Sequence, residues 1–184
     1  MNDFLPTSYE VPQKAGSYMK FQTGENRFRV LASPIIGWEW WEEKQDGTRK
    51  PVRVTMDTKI PVDSVEDPST IKHFWAMPVY NYKEGKIQIL EITQKGIQKK
   101  IKSLARDDDW GTPLGYDLVV IKTGEKLETE YEVNPKPAKK LDPSIVSEYE
   151  GMNIEMEALY RGDDPFNSKK EEINPDDIPD FMQD

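Results

Sequence analysis

The stretch that decides the fold is Lys86–Ala105, KIQILEITQKGIQKKIKSLA. In its first half, over residues 86–92, apolar residues recur at the two-residue spacing of a β-strand. In its second half, Ile97, Ile101 and Leu104 stand four and three residues apart, which is the spacing of one face of an α-helix. The chain is therefore predicted to pass from a strand into a helix, with Thr93 as the helix N-cap.

Short β patterns lie on both sides of this stretch, separated by turns and by a polar loop over residues 57–70. Many short strands, with one helix inserted before the last two, predict a mainly β protein. The architecture that fits is the OB-fold, a five-stranded Greek-key barrel, with extra hairpins added. The further predicted strands cover residues 18–32 (a hairpin turning at Gly24–Asn26), 36–41 and 50–54 (a hairpin turning at Asp46-Gly47), 73–82, 116–122 and 129–133.

Charge is distributed unevenly along the 184 residues, whose net charge is −9. Residues 20–140 carry +2, whereas residues 141–184 carry −10. Low hydrophobicity with high net charge is typical of disordered segments. We therefore predict four parts: an N-terminal arm over residues 1–17, an OB-fold core over 18–141, an acidic extension over 142–162 that could form a helix interrupted by Gly151, and a disordered acidic tail over 163–184.

The composition excludes several kinds of catalytic site. The chain has no cysteine, which removes thiol nucleophiles, disulfides and cysteine zinc sites, and its one histidine, His73, cannot build a multi-histidine site. Asp107–Asp109 are predicted to form a turn, because three consecutive side chains cannot all point at one ion; a divalent-metal nuclease built on them is a third-ranked alternative. We predict no enzyme activity, no cofactor and no metal. No apolar run is long enough to span a membrane, so we expect a soluble intracellular protein.

Aromatic and basic side chains are interleaved along the predicted strands. In a strand, Trp38 and Trp40 point to one face and Trp41 to the other, so one set can be core while the other is exposed. Exposed aromatic rings can stack on bases while neighbouring lysines and arginines contact phosphates. Alternatively, the tryptophans are core and the basic residues are merely solvated. The candidate residues for binding single-stranded DNA are Arg27, Arg29, Trp38, Trp40, Trp41, Lys50, Arg53, Trp75, Tyr80, Tyr82, Lys99 and Lys102.

The C-terminal tail ends in apolar side chains embedded in carboxylates. A tail that only improves solubility does not need them, although that remains the simpler alternative. A recognition motif would use its carboxylates to steer toward a basic groove and its apolar side chains to fill a pocket. The tail could also fold back on the protein's own basic channel and compete with DNA. The candidate partner-binding residues are Asp176, Asp177, Ile178, Pro179 and Phe181.

Taken together, residues 18–141 resemble the single-stranded-DNA-binding proteins of tailed bacteriophages. The resemblance implies an OB-fold core that binds single-stranded DNA without strong sequence preference. It also implies a role in phage DNA replication, recombination and repair, in the cytoplasm of the infected bacterial host. The segments that carry it are Tyr18–Phe21, Asn26–Leu31, Gly37–Trp41, Lys50–Arg53, Phe74–Ala76, Ile87–Gln94, Asp108–Gly111 and Tyr116-Asp117.

The tail over residues 176–181 is similar to the acidic tip of bacterial and phage single-strand binding proteins. In those proteins the tip recruits replication and repair enzymes, and its phenylalanine is normally the last residue. Here Met182-Gln183-Asp184 follow Phe181. The resemblance thus implies single-stranded DNA and replication or recombination proteins as partners, without a membrane, and leaves a homo-oligomer on DNA open. The alternative function is a non-catalytic interaction module whose OB-like barrel docks on a replication or host protein.

Overall fold

The structure, a computed structural model, describes residues 16–167. The predicted arm up to residue 15 and the predicted tail from residue 168 onward lie outside the described residues. The prediction of a mainly β protein is confirmed. The strands are β1 Tyr18–Met19, β2 Gly24–Val30, β3 Ile35–Glu43, β4 Arg49–Thr55, β5 Lys72–Asn81, β6 Lys86–Ile92, β7 Leu118–Thr123 and β8 Glu130–Pro135, and the helices are α1 Lys95–Ala105 and α2 Pro143–Met152.

The eight strands form one mixed sheet. The hydrogen-bonded order is β1-β6-β5-β2-β7-β8, and β3 joins β5 while β4 joins β3. Only the β1–β6 pairing is parallel among the described strands. The path begins at β1 and ends at β8, so over residues 16–167 the sheet is open rather than closed into a barrel.

The predicted hairpin over residues 18–32 is wrong. β1 pairs with β6, and β2 pairs with β5 and β7. Asn26, which we placed in the hairpin turn, lies within β2 and is buried. Its side chain accepts a hydrogen bond from the Gln22 backbone N–H at 2.8 Å and donates to the carbonyl oxygens of Gln22 and Val120. Asn26 therefore fixes the loop before β2 against β7 instead of turning the chain back on itself.

The hairpin formed by β3 and β4 is confirmed, with Trp40 opposite Val52. Its turn needs Gly47, whose φ of 80° lies in the left-handed region that favours glycine. Gly37 allows β3 to pack tightly between its neighbours, because a Cβ there would collide with the carbonyl oxygen of Val54. The next predicted hairpin is confirmed as well, with β5 and β6 paired from Trp75–Ile92 to Asn81–Lys86.

The helix predicted after the β6 strand is confirmed as α1. Ile97, Ile101 and Leu104 are buried, as their spacing indicated. The N-cap is Gln94, however, and its side chain makes no capping hydrogen bond, so Thr93 as N-cap is wrong. The buried Gln98 fixes the first turn instead, because its side-chain N–H donates to the carbonyl oxygens of Ile92 and His73.

The acidic extension packs on the sheet. Helix α2 stops at Asn153, which has a left-handed φ of 48°, and a 3₁₀ segment follows over Met156–Arg161. Within that segment Met156 and Leu159 are buried against residues of β5 and β6. The Tyr160 hydroxyl donates to the Ile36 carbonyl oxygen at 2.8 Å. Residues 156–161 therefore cover one face of the sheet.

The larger hydrophobic core lies between the other face of the sheet and α1. Its members come from β1, β2, β5, β6, β7 and β8, and include Phe28, Val79, Leu90, Leu118 and Val120 with the apolar side of α1. None of the helices within residues 16–167 has the length and apolar character needed to cross a membrane.

Candidate nucleic-acid interface

A groove of about 520 Å³ is lined by residues of β1, β3, β4, β6, β7 and β8. We call it the aromatic groove. A second hollow of about 420 Å³ shares Tyr18 and Arg53 with it and adds Lys44 and Lys50 beside the β3–β4 turn. The carboxylates Asp163 and Asp164 also line this second hollow. The aromatic and basic residues lining the groove include Tyr18, Lys20, Phe21, Trp41, Lys122 and Tyr131.

The three tryptophans of β3 have different environments. Trp41 is 49% exposed and lines the aromatic groove, as expected for a ring available to stack on a base. Trp40 is 2% exposed, and its indole N–H donates to Glu42 Oε1 at 3.1 Å. The assignment of Trp40 as a stacking residue is therefore wrong: it is core. Trp38 is half-buried, with its ring centroid 5.3 Å from that of His73.

Arg53 lies in the groove but is held by two carboxylates. Its Nε donates to Glu39 at 3.2 Å and to Glu91 at 3.0 Å, and its NH2 group donates to Glu91 at 2.7 Å. The Arg53 side chain is only 9% exposed. A phosphate would have to compete with both carboxylates for this guanidinium, so Arg53 mainly shapes the groove.

The buried carboxyl of Glu39 has a raised pKa. Its burial, together with the nearby charge and side-chain hydrogen bonding of Glu91, raises its pKa from 4.5 to about 7, although Arg53 opposes the shift. Near neutral pH, therefore, the Glu39 carboxyl is only partly ionised. The charge beside Arg53 consequently changes with pH in the physiological range.

Arg29 is a structural residue, and its assignment as a phosphate contact is wrong. Its side chain is 2% exposed, and its Nε donates to Asp117 Oδ1 at 2.7 Å. Its NH2 group donates to the Lys139 carbonyl oxygen at 2.7 Å. Arg27 shares the same carboxylate, with NH2 at 2.7 Å from Asp117 Oδ2, but its side chain is 44% exposed. Arg27 can therefore still present one edge to solvent.

Tyr82 completes this ion cluster. Its hydroxyl donates to Asp117 Oδ1 at 2.9 Å, and the Arg27 guanidinium lies 5.2 Å from the centre of its ring. Burial, followed by the hydrogen bond to Asp117, raises the pKa of Tyr82 to about 12. Burial opposes ionisation of Asp117, but the bonds from the two arginines and Tyr82 outweigh it and lower the pKa of this carboxyl. Tyr80 packs edge-on against Tyr82, with ring centroids 5.1 Å apart.

The remaining predicted residues lie apart from the aromatic groove. Trp75 donates its indole N–H to His73 Nε2 at 3.1 Å, while His73 Nδ1 lies 2.8 Å from the Gly37 carbonyl oxygen. These contacts assign the neutral Nδ1–H tautomer to His73. Trp75 and Lys102 line a different groove beside α1. Lys99 is exposed on that helix.

Sequence reasoning missed several residues of the groove. Tyr18, Lys20 and Phe21 were assigned to a hairpin, and the pairing of β1 with β6 places them here instead. Lys122 and Tyr131 face each other across β7 and β8. The two aromatic residues Tyr18 and Phe21 close to Lys20 were a usable local signal. The pairing of Lys122 with Tyr131 required knowledge of the strand register.

The acidic motifs give no metal site within residues 16–167, where no group of three or more histidine or acidic side chains is placed to hold an ion. Asp107 instead closes a turn, because its Oδ1 accepts hydrogen bonds from the backbone N–H groups of Asp109 and Trp110. The tail residues Asp176, Asp177, Ile178, Pro179 and Phe181 lie outside the described residues.

Replacing Asp117 with alanine should strongly destabilise the fold. The change leaves the buried Arg29 guanidinium without its counter-charge, which typically costs about 3–5 kcal/mol. The matched control is Arg27→Gln, which removes the half-exposed partner of the same carboxylate and should cost about 1 kcal/mol or less. Urea unfolding followed by tryptophan fluorescence measures both free energies. Equal losses in the two variants would contradict the assignment of Arg29 as the buried structural partner.

Glu39→Gln should remove a pH dependence of stability. Because the pKa of Glu39 is raised in the folded state, that state holds a proton which the unfolded chain releases above pH 4.5. Wild-type stability contributed by this group is therefore complete below pH 4.5 and lost as pH rises to about 7. The free energy of unfolding of Glu39→Gln relative to wild type should rise across this window. A difference for Glu39→Gln that stays flat across this window would contradict the raised pKa of Glu39.

Comparison of the chain with protein-family models, with curated proteins and with solved structures gives no match in any of the three.

Proposed function

We propose that the protein binds single-stranded DNA without strong sequence preference and has no enzymatic activity. The observation that carries this proposal is the aromatic groove, where the exposed Trp41 and Tyr18 stand among Lys20 and Lys122. Single strands offer a π-face on every base and a phosphate on every linkage, and such a groove meets both. A duplex hides the faces of its bases, so the same groove favours single strands.

The order of the strands supports an OB-like core. In an OB-like core, β2, β5, β6, β7 and β8 would take the places of the five strands in chain order, with α1 between the third and the fourth. OB-folds bind oligonucleotides on the face of strands 2 and 3, and with the loops between strands 1 and 2 and between strands 4 and 5. The β3–β4 hairpin, which carries Trp41, is inserted in the first of these loops. Lys122 and Tyr131 flank the second.

Phosphate contacts are expected mainly from lysines. Arg29 is buried, and Arg53 is held by Glu39 and Glu91. Lys44 and Lys50 line the neighbouring hollow and both are exposed, although Asp163 and Asp164 also line it. A strand of DNA lying along this surface would therefore meet the hairpin lysines at one end and Lys20 with Lys122 at the other.

The wider biological role follows from the resemblance to phage single-strand binding proteins. We infer a protein that coats and protects single-stranded DNA during phage replication, recombination and repair in the infected cell. The acidic tail would recruit partner proteins or compete with DNA. A second candidate function, a non-catalytic interaction module, is favoured by the apolar groove beside α1, which has the character of a peptide-binding surface. A titration with oligo(dT) separates the two functions, because an interaction module would not bind oligonucleotides.

Trp41→Ala should weaken binding of oligo(dT) at low salt by roughly 5- to 150-fold, since stacking contributes about 1–3 kcal/mol per base. The control is Trp110→Ala, a tryptophan 38% exposed that packs on Tyr116 outside the aromatic groove and should leave affinity unchanged. Fluorescence anisotropy of labelled oligonucleotide measures both. Equal affinity for duplex, or an unaltered affinity of Trp41→Ala, would count against the proposal.

The salt dependence tests the phosphate contacts separately. The logarithm of the binding constant should fall linearly with the logarithm of salt concentration, with a slope of about −0.7 per phosphate neutralised. Lys20→Gln and Lys122→Gln should each reduce this slope by about that amount. Lys99→Gln, on the exposed side of α1, serves as the control and should keep the wild-type slope. A full slope in Lys20→Gln and Lys122→Gln would place the DNA elsewhere.

A further inference from the structure

A separate groove of about 280 Å³ lies between α1, β5 and the residues that precede β7. We call it the helix groove. It is lined mainly by apolar side chains, among them Trp75, Met77, Ile101 and Leu114. Leu114 is 40% exposed, so part of this apolar surface faces solvent. A solvent-facing apolar groove of this kind is typical of a surface that receives side chains from a peptide.

Two basic residues, Lys102 of α1 and its C-cap Arg106, also line the helix groove. They are four residues apart and therefore lie on the same side of the helix. Both are exposed. The nearby Asp107 faces the turn that follows, where it accepts hydrogen bonds from Asp109 and Trp110. The groove thus combines apolar walls with positive charge, which fits a ligand that combines apolar side chains with carboxylates.

The chain carries such a ligand near its C-terminus. Residues 176–182, DDIPDFM, place Ile178, Phe181 and Met182 among three carboxylates. We propose that residues 176–182 dock in the helix groove of the same chain. Phe181 and Ile178 would contact the apolar walls, and the aspartates would face Lys102 and Arg106.

The tail can reach the helix groove. The described chain ends at Asn167, and Phe166 packs against the same apolar cluster as Ile35. Ile35 directly follows Pro34, which lines the groove. Ten residues lie between Asn167 and Ile178, and the eleven steps from one to the other span up to about 36–40 Å when extended. Docking within one chain therefore requires no second copy.

This proposal goes beyond the proposed function and does not depend on it. The helix groove and the aromatic groove are lined by different residues. Tail docking could hold even if the protein bound no DNA, and DNA binding could hold if the tail stayed undocked.

The test compares backbone amide chemical shifts of the full-length ¹⁵N-labelled chain and of the double variant Ile178→Ser/Phe181→Ser. Removing the apolar contacts should change the chemical shifts of the backbone amides of residues 101–106 and of Leu114. The matched control is Phe4→Ser/Leu5→Ser, which makes the same kind of change near the other terminus and should leave those amides in place. Retained amide dispersion shows that each variant is folded.

Two further measurements keep the proposal falsifiable. A synthetic peptide of residues 174–184, added to the Ile178→Ser/Phe181→Ser chain, should return the amides of residues 101–106 toward their wild-type positions. Adding the charge reversals Lys102→Glu and Arg106→Glu to that chain should weaken peptide binding by about tenfold or more at low salt, because charge contacts of this type steer and hold acidic partners.

Several results would overturn the proposal. One is that the amides of the helix groove have identical chemical shifts in the wild-type chain and in the tail variant. Another is a set of changes confined to residues around Trp41 and Lys50, since the tail would then lie in the aromatic groove. Changes that disappear on dilution would assign the contact to a second copy. Movement of the amides of residues 101–106 by oligo(dT) in the tail variant would make the helix groove a nucleic-acid site.

Discussion

The carboxylate of Asp117 holds together parts of the chain that are far apart in sequence. It receives hydrogen bonds from Arg27 and Arg29 on β2 and from Tyr82 just after β5. Arg29 in turn donates to the Lys139 carbonyl oxygen beyond β8. A buried charge is costly unless it is paired and hydrogen-bonded, so these groups must be positioned together. This requirement fixes the junction of β2, β5 and β7. From it, β7 contributes Lys122 to the aromatic groove, and β2 and β5 contribute Val30 and Met77 to the helix groove.

Local patterns predicted the elements whose stabilising contacts are close in sequence. The β3–β4 hairpin, the β5–β6 hairpin and α1 follow from alternation, turn residues and helical spacing. Local patterns could not show that the predicted hairpin over residues 18–32 does not form. Asn26 is held by Val120, which is 94 residues away, and β1 gains its partner from β6. Long-range hydrogen bonds of this kind leave no trace in the local sequence.

The candidate site was predictable to a similar degree. Alternation correctly separated Trp41 from Trp40, but it could not say that Trp40 was the buried one. Arg29 was a reasonable candidate for a DNA contact, yet its burial depends on a carboxylate 88 residues away. The Arg53–Glu39 pair follows from the hairpin register and could have been predicted, whereas Glu91 comes from another strand.

The open sheet exposes strand edges, which can pair with other chains and cause aggregation. β1 covers the outer edge of β6, and the 3₁₀ segment Met156–Arg161 packs beside β4. β8 pairs only with β7 among the described strands, but it carries Glu130 and Glu132 and ends in Pro135. Charged side chains and proline are features that discourage edge-to-edge pairing. Copies of the chain crowded side by side are thus protected from merging their sheets at β8 by two carboxylates and a proline.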